Sequence, residues 1–148
     1  MTIALSTTID IDAAKHTVWD VLTDFAHYGE WNPFVKAEGT ARVGTKLVMH
    51  MSADGGRGLT FKPTVLVAAP GKELRWVGKL GASWLLYGEH FFILASNTDG
   101  TTRFTNGENF SGALVTLTHR ILRSKNNDTG YDAFNKAIKQ RAETVAKQ

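Results

Sequence analysis

Apolar and polar residues alternate from the first positions of the chain. Ile3, Leu5, Thr7, Ile9 and Ile11 share one face, and Ala4, Ser6, Thr8 and Asp10 share the other. A period of two over nine residues predicts a half-buried strand. The period then changes. Val18, Trp19 and Leu22 recur at helical spacing, with Asp12 as the expected N-cap and an end near Asp24. Phe25 to Trp31 reads as a second short helical turn, stopped by Asn32-Pro33 because the residue before a proline is pushed out of the α region.

Strand periods return after that turn. Leu47, Met49 and Met51 alternate with Lys46, Val48 and His50, and Gly55 to Gly58 makes a loop. Phe61 to Ala69 reads as one strand, closed by Pro70-Gly71, a pair suited to a tight turn. On the return, Leu74, Trp76, Gly78 and Leu80 face in while Glu73, Arg75 and Lys79 face out. A last hairpin runs from Gly88 to Phe110 and turns at Asp99-Gly100. The pattern gives about six antiparallel strands after the two helical segments.

The chain closes in helix. Leu114, Leu117 and Ile121 form one apolar stripe, and Phe134, Ile138, Ala142 and Val145 form another. At about 100° per residue the two stripes do not line up. One straight helix cannot bury both, so a break is expected in Ser124 to Thr129, where Asn126-Asn127-Asp128 offers a new N-cap. Strands followed by a long amphipathic helix define an α+β fold, expected as one domain over 148 residues.

Composition narrows the function. There is no cysteine, which excludes a disulfide scaffold, a thiolate nucleophile and any Cys-based metal site. The histidines at 16, 27, 50, 90 and 119 lack short metal-ligand spacing, so no metal or other cofactor is expected. Phosphate-loop, nucleophile-elbow and nucleic-acid motifs are absent. The net charge is +3, with the late basic residues read as a solvated helix face. The first residues lack the basic start and apolar stretch of a signal peptide, and no run approaches the roughly 18 apolar residues of a membrane span. A cytoplasmic protein without stable membrane insertion is the expectation.

Four polar groups stand inside the otherwise apolar last hairpin: Glu89, His90, Asn106 and Glu108. Phe104, Asn106, Glu108 and Phe110 share a face, and the phenylalanines turn that face inward. A carboxylate between inward aromatics needs a partner. The facing strand is apolar on both sides, so its phase depends on the turn. A two-residue turn places Glu89, Phe91 and Ile93 opposite Glu108, whereas a three-residue turn with a bulge places His90, Phe92 and Leu94 there. Periodicity does not separate the two.

The stretches VWDVLTDFAHYGEWNPF (18–34), HFF (90–92), TRFTNGENFSGAL (102–114) and GYDAFNKAIKQRAE (130–143) resemble the START/Bet v 1-like superfamily, most closely its bacterial polyketide cyclase/dehydrase-like (SRPBCC) branch. The resemblance spans nearly the whole chain. It implies a helix-grip fold: a curved antiparallel sheet of about seven strands wrapped around the C-terminal helix, enclosing a mostly apolar cavity. It also favours His90 inward. Pockets of this kind orient a ligand with a few polar groups. The residues expected to meet it are His90, Asn106 and Glu108 as polar groups, with Trp31, Phe34, Met49, Trp76, Trp84, Phe92, Phe104, Phe110, Phe134 and Ile138 as walls. The expected partner is a hydrophobic or amphipathic small molecule: a lipid, an aromatic metabolite or a polyketide-like compound. Two other readings stand beside it. One is a cyclase or dehydratase with Glu108 and His90 as acid and base. The other is a protein-interaction module.

Overall fold

The computed structural model describes residues 2–52, 58–82, 84–116 and 130–148. The first strand, β1 (Thr2–Ile11), is followed by helix α1 (Lys15–Thr23) and a 3-10 helix (Phe25–Glu30). Seven strands come next: β2 (Val35–Glu38), β3 (Val48–Met51), β4 (Leu59–Phe61), β5 (Thr64–Ala69), β6 (Glu73–Leu80), β7 (Leu86–Ser96) and β8 (Thr102–Ser111). The C-terminal helix, α2, spans Gly130–Ala146. Five strands form one antiparallel sheet in the order β1-β8-β7-β6-β5, and β2-β3-β4 form a second. Backbone bonds from Gly44 to Val65, Val65 to Thr45 and Leu47 to Pro63, each 2.8–2.9 Å, stitch the second sheet to the edge of the first. The strands thus continue around a curve, as a helix-grip fold requires.

Two local expectations are corrected. Phe61 to Ala69 is two strands, broken at Lys62-Pro63. Pro63 has no N–H for a ladder, and its carbonyl accepts from Leu47 instead, so the chain turns the corner between the sheets there. Asp12 is not the N-cap of α1. That place falls to Ala14, without a side-chain cap bond, while the Asp12 N–H donates to Glu143 of α2 at 2.9 Å. Burial of Ile11 and Ala13 carries the chain past Asp12 before the helix can start. The Gly55–Gly58 loop falls largely outside the described residues, as do the break and N-cap expected within Ser124 to Thr129.

Helix α2 lies against the sheet through Phe134, Ile138 and Ala142, all buried, as the second apolar stripe predicts. Phe92, Phe104 and Leu74 meet it from the sheet, and Val18, Leu22, Phe25 and Tyr28 close one side. Polar contacts fix how the helix lies along β1: the Thr7 hydroxyl donates to Asp132 at 2.6 Å, and Lys139 Nζ donates to the Asp10 carbonyl at 2.8 Å.

Candidate functional site

The β7–β8 turn decides what faces inward. Ser96 pairs with Thr102, Asn97 N–H donates to the Thr101 carbonyl at 2.9 Å, and Gly100 N–H donates to the Asn97 carbonyl at 3.2 Å. Three residues therefore form the loop, with Gly100 at φ +85, the left-handed position such a turn demands. Asp99 accepts from both the Thr101 hydroxyl and its N–H; these bonds hold its carboxyl below the usual range. The consequence is the pairing His90 with Glu108, Phe92 with Asn106 and Leu94 with Phe104. Glu89 goes to the outer face, where it accepts from Arg75 at 2.5 Å, and Arg75 also binds Glu73 and lies over the Phe91 ring.

On the inner face the strands form rows. One row reads Leu5, Glu108, His90, Trp76 and Val65. The next reads Ile3, Phe110, Gly88 and Gly78. Two neighbouring strands thus carry no side chain at adjacent inward positions; over Gly88 that space is taken by the Glu108 carboxylate and the edge of the Phe110 ring, and over Gly78 it is open. A β-carbon at Gly88 would stand 2.8 Å from Glu108 Oε1, so glycine is what leaves room for that oxygen. A β-carbon at Gly78 would meet only the Phe61 ring edge, at 4.0 Å, among the described residues.

A polar network runs from this row to the first turns of α2. Tyr131 OH donates to Glu108 Oε2 at 2.6 Å. His90 Nδ1 stands 3.7 Å from the same oxygen, too far for a hydrogen bond. Asn106 Nδ2 donates to Asn135 Oδ1 at 3.1 Å and points to the Tyr131 carbonyl at 3.5 Å. A carbonyl can only accept, which sets the amide orientation and leaves Asn106 Oδ1 to His90 Nε2 at 2.7 Å. Nε2 therefore carries the proton, and Nδ1 presents a lone pair. Burial lowers the His90 pKa, opposed by the Glu108 charge and the Asn106 bond, so the ring is neutral at neutral pH. Burial, with Glu108 beside it, pushes the Tyr131 hydroxyl up, which keeps it a donor. The side chains of His90 and Glu108 retain 18% and 21% of their surface, so both reach accessible space.

The expected wall residues divide into three groups. Trp76 and Phe92 pack against the His90 ring, and Phe92, Phe104 and Phe134 pack against one another, with centroids 4.6–6.5 Å apart; Met49 and Ile138 are buried in the same core. Phe110 is half-buried beside Gly88. Trp31 packs on Tyr28 and Phe134, and its remaining surface lines two surface clefts of about 470 and 370 Å³. The larger meets α2 at Ala133, Lys136, Ala137 and Gln140, on the flank of the helix beside Phe134, and neither cleft is lined by His90, Glu108, Gly78 or Gly88. Phe34 and Trp84 are 38% and 67% exposed.

Three members of the site went unread in the sequence. Tyr131 and Asn135 flank Phe134 on α2, and Tyr131 lies one turn ahead of it on the inward stripe, a signal that helical periodicity does carry. Gly88 is the third; its contribution is an absent side chain. Among the described residues no three His, Asp or Glu side chains are grouped to hold a metal ion, and no helix is long and apolar enough to cross a membrane.

Residues 2–143 match the family described as polyketide cyclase/dehydrase and lipid transport, and the chain belongs to that family. Solved structures of the same fold include a START superfamily protein from Mycobacterium smegmatis, with 17% identity over 96% of this chain and 98% of that chain at a TM-score of 0.71. The Zhui aromatase/cyclase from Streptomyces sp. R1128 shares 14% identity over 97% and 94% of the two chains at a TM-score of 0.73. Norcoclaurine synthase from Thalictrum flavum, in complex with dopamine and hydroxybenzaldehyde, shares 13% over 95% and 86% at 0.70. At such identities the likeness establishes the START/Bet v 1 helix-grip fold and no activity. No curated protein matches in sequence.

Proposed function

We propose that this protein binds a hydrophobic or amphipathic small molecule between the sheet and α2, with its apolar body over Gly78 and its polar end at Glu108, Tyr131 and His90. The observation that carries this reading is the inward glycine pair beside a half-exposed carboxylate. A solid core places side chains at such positions, because close packing leaves few voids. Gly88 makes room for the Glu108 carboxylate, while Gly78 has only the Phe61 ring edge at 4.0 Å above it, and close approach of another molecule is one reason for a glycine inside a strand. Each methylene of a ligand buried there contributes about 0.8 kcal/mol. Native mass spectrometry of gently purified protein tests the reading. A bound apolar species, lost on denaturation and exchanged by added apolar probes, is the expected result. Protein free of ligand that takes up none of a panel of such probes contradicts it.

A second reading has its own support. The bare His90 Nδ1 is a base, and it stands beside a carboxyl and a phenol that can carry protons. Cyclisation followed by dehydration needs a base to take a proton next to a carbonyl and an acid to protonate the departing hydroxyl. The fold shared with an aromatase/cyclase fits this chemistry. If the protein is such an enzyme, Glu108→Gln and His90→Gln each abolish turnover of a polyketide-like substrate while leaving it bound. Turnover unaffected by both substitutions removes these residues from the chemistry.

A further inference from the structure

We propose that the site selects a ligand whose polar end donates hydrogen bonds, with a protonated amine favoured over a carboxylate or phosphate of the same shape. This rests on the reading of Glu108 and His90 as a ligand site and adds the chemical class of its occupant.

Among the described residues every side-chain donor of the network is committed or closed off. Tyr131 OH is given to Glu108 Oε2, His90 Nε2–H to Asn106 Oδ1, and Asn106 Nδ2 to Asn135 and the Tyr131 carbonyl. Asn135 Nδ2 has no partner, but it is buried out of reach. What remains is acceptors. Among the described residues Glu108 Oε1 makes no hydrogen bond, and the absence of a side chain at Gly88 leaves it room beside the Phe110 ring. His90 Nδ1 makes none either, since Glu108 Oε2 at 3.7 Å is itself an acceptor. His90 Nδ1 and the Glu108 carboxylate, 3.7 Å apart at Oε2, have no donor between them, and a ligand donor placed against both satisfies the imidazole lone pair and the carboxylate together. An ammonium group has three donors and no acceptor, and its charge opposes that of the Glu108 carboxylate. Among the described residues no Lys or Arg pairs with Glu108 or His90, so no built-in cation already serves this end. A ligand carboxylate would bring a second negative charge to a half-buried one and meet no free side-chain donor among the described residues. The apolar walls close by, Phe110 and Trp76, suit an aryl body attached to the amine.

The test uses four probes with one aryl body: naphthyl-ethylamine, naphthyl-ethanol, naphthyl-acetate and ethylnaphthalene. Affinities for the wild-type protein are measured calorimetrically at neutral pH. The amine is expected to bind about tenfold or more tightly than the acetate, the scale of a charge-assisted hydrogen bond. Glu108→Gln should bring amine and acetate close to parity. Equal or tighter binding of the acetate by the wild type overturns the inference, as does an amine preference that survives Glu108→Gln in a folded variant. The wild-type ratio needs no variant, so it decides the matter even if Glu108→Gln fails to fold. If ethylnaphthalene binds and the amine preference is missing, this inference fails alone. If none of the four binds, the ligand-site reading falls with it.

Discussion

Phe134 is where α2 locks onto both the sheet and the 3-10 helix. It is 8% exposed, and its ring lies 5.4 Å from Phe92, 5.5 Å from Trp31, 6.1 Å from Tyr28 and 6.5 Å from Phe104. Phe134→Ala removes one side of four aromatic contacts. The neighbours belong to three different elements and cannot all close the gap, so a cavity remains. Loss of a buried Phe costs about 3–5 kcal/mol. For a chain of this size each kcal/mol lowers Tm by roughly 2–4 °C, so the expected fall is on the order of 10 °C. Typical domains have about 5–15 kcal/mol of stability, and the variant should remain folded at room temperature. Gly130 already weakens the first turn of α2 by about 1 kcal/mol relative to Ala. With Phe134 gone, that turn and Tyr131 should loosen before the sheet does. Urea unfolding followed by circular dichroism gives the cost, and hydrogen exchange at residues 131–135 locates it. A loss below about 1 kcal/mol with unchanged denaturant slope would refute the packing argument.

Further outcomes are expected. Because the folded-state pKa of His90 lies below 6.5, the unfolded chain takes up its proton first as pH falls. Stability should therefore decline from about pH 6.5 down through the folded pKa, by at most about 1.4 kcal/mol per unit, and His90→Gln should lose that part of the pH dependence. His27, whose pKa Asp24 raises, acts in the opposite sense but is common to both proteins, so identical pH profiles would contradict the assignment. Gly88→Ala meets only the flexible end of Glu108 and ordinary contact with Phe110; it should cost less than about 1 kcal/mol yet weaken binding of ethylnaphthalene. Gly107→Ala meets the Leu5 carbonyl and the Phe91 ring, each at 2.5 Å, and should cost about 1–3 kcal/mol in the same unfolding assay. Tyr131→Phe keeps the ring beside His90 and deletes the donor to Glu108. It should destabilise by about 1 kcal/mol and raise amine affinity, and unchanged amine binding would argue against a shared carboxylate.

Much of this architecture is legible in the chain because the physics behind it is local. The alternation of Ile3 to Ile11, the stripe of Phe134, Ile138 and Ala142, and the inward phase of Asn106 and Glu108 are each set by burial of one face. The corner at Pro63 was hidden because Phe61 to Ala69 is apolar throughout, and a bend between two sheets keeps the same composition on both sides. Asp12 has the right chemistry for a cap, but tertiary burial of Ile11 and Ala13 decided where the helix begins. The inward placement of His90 could not come from periodicity, since both faces of β7 are apolar. It turned on whether the Asp99-Gly100 turn holds two residues or three, and the family resemblance favoured the phase that the three-residue loop produces. Gly88 was the hardest to read, because its role is defined by a carboxylate twenty residues away in sequence.

Ligand binding as proposed places an apolar molecule on the inner face of the sheet, over Gly78 and beside the Glu108 carboxylate that lies over Gly88. Amide chemical-shift mapping of the folded protein during titration with ethylnaphthalene tests it most directly. Saturable shifts at Gly78, Gly88, His90, Glu108, Phe110 and Tyr131, with little change at the outer-face residues Arg75 and Glu89, are the predicted result. Shifts confined to the outer face or to the cleft between α1 and α2 at His16, Asp20 and His27, or no saturable shifts at all, would contradict the account.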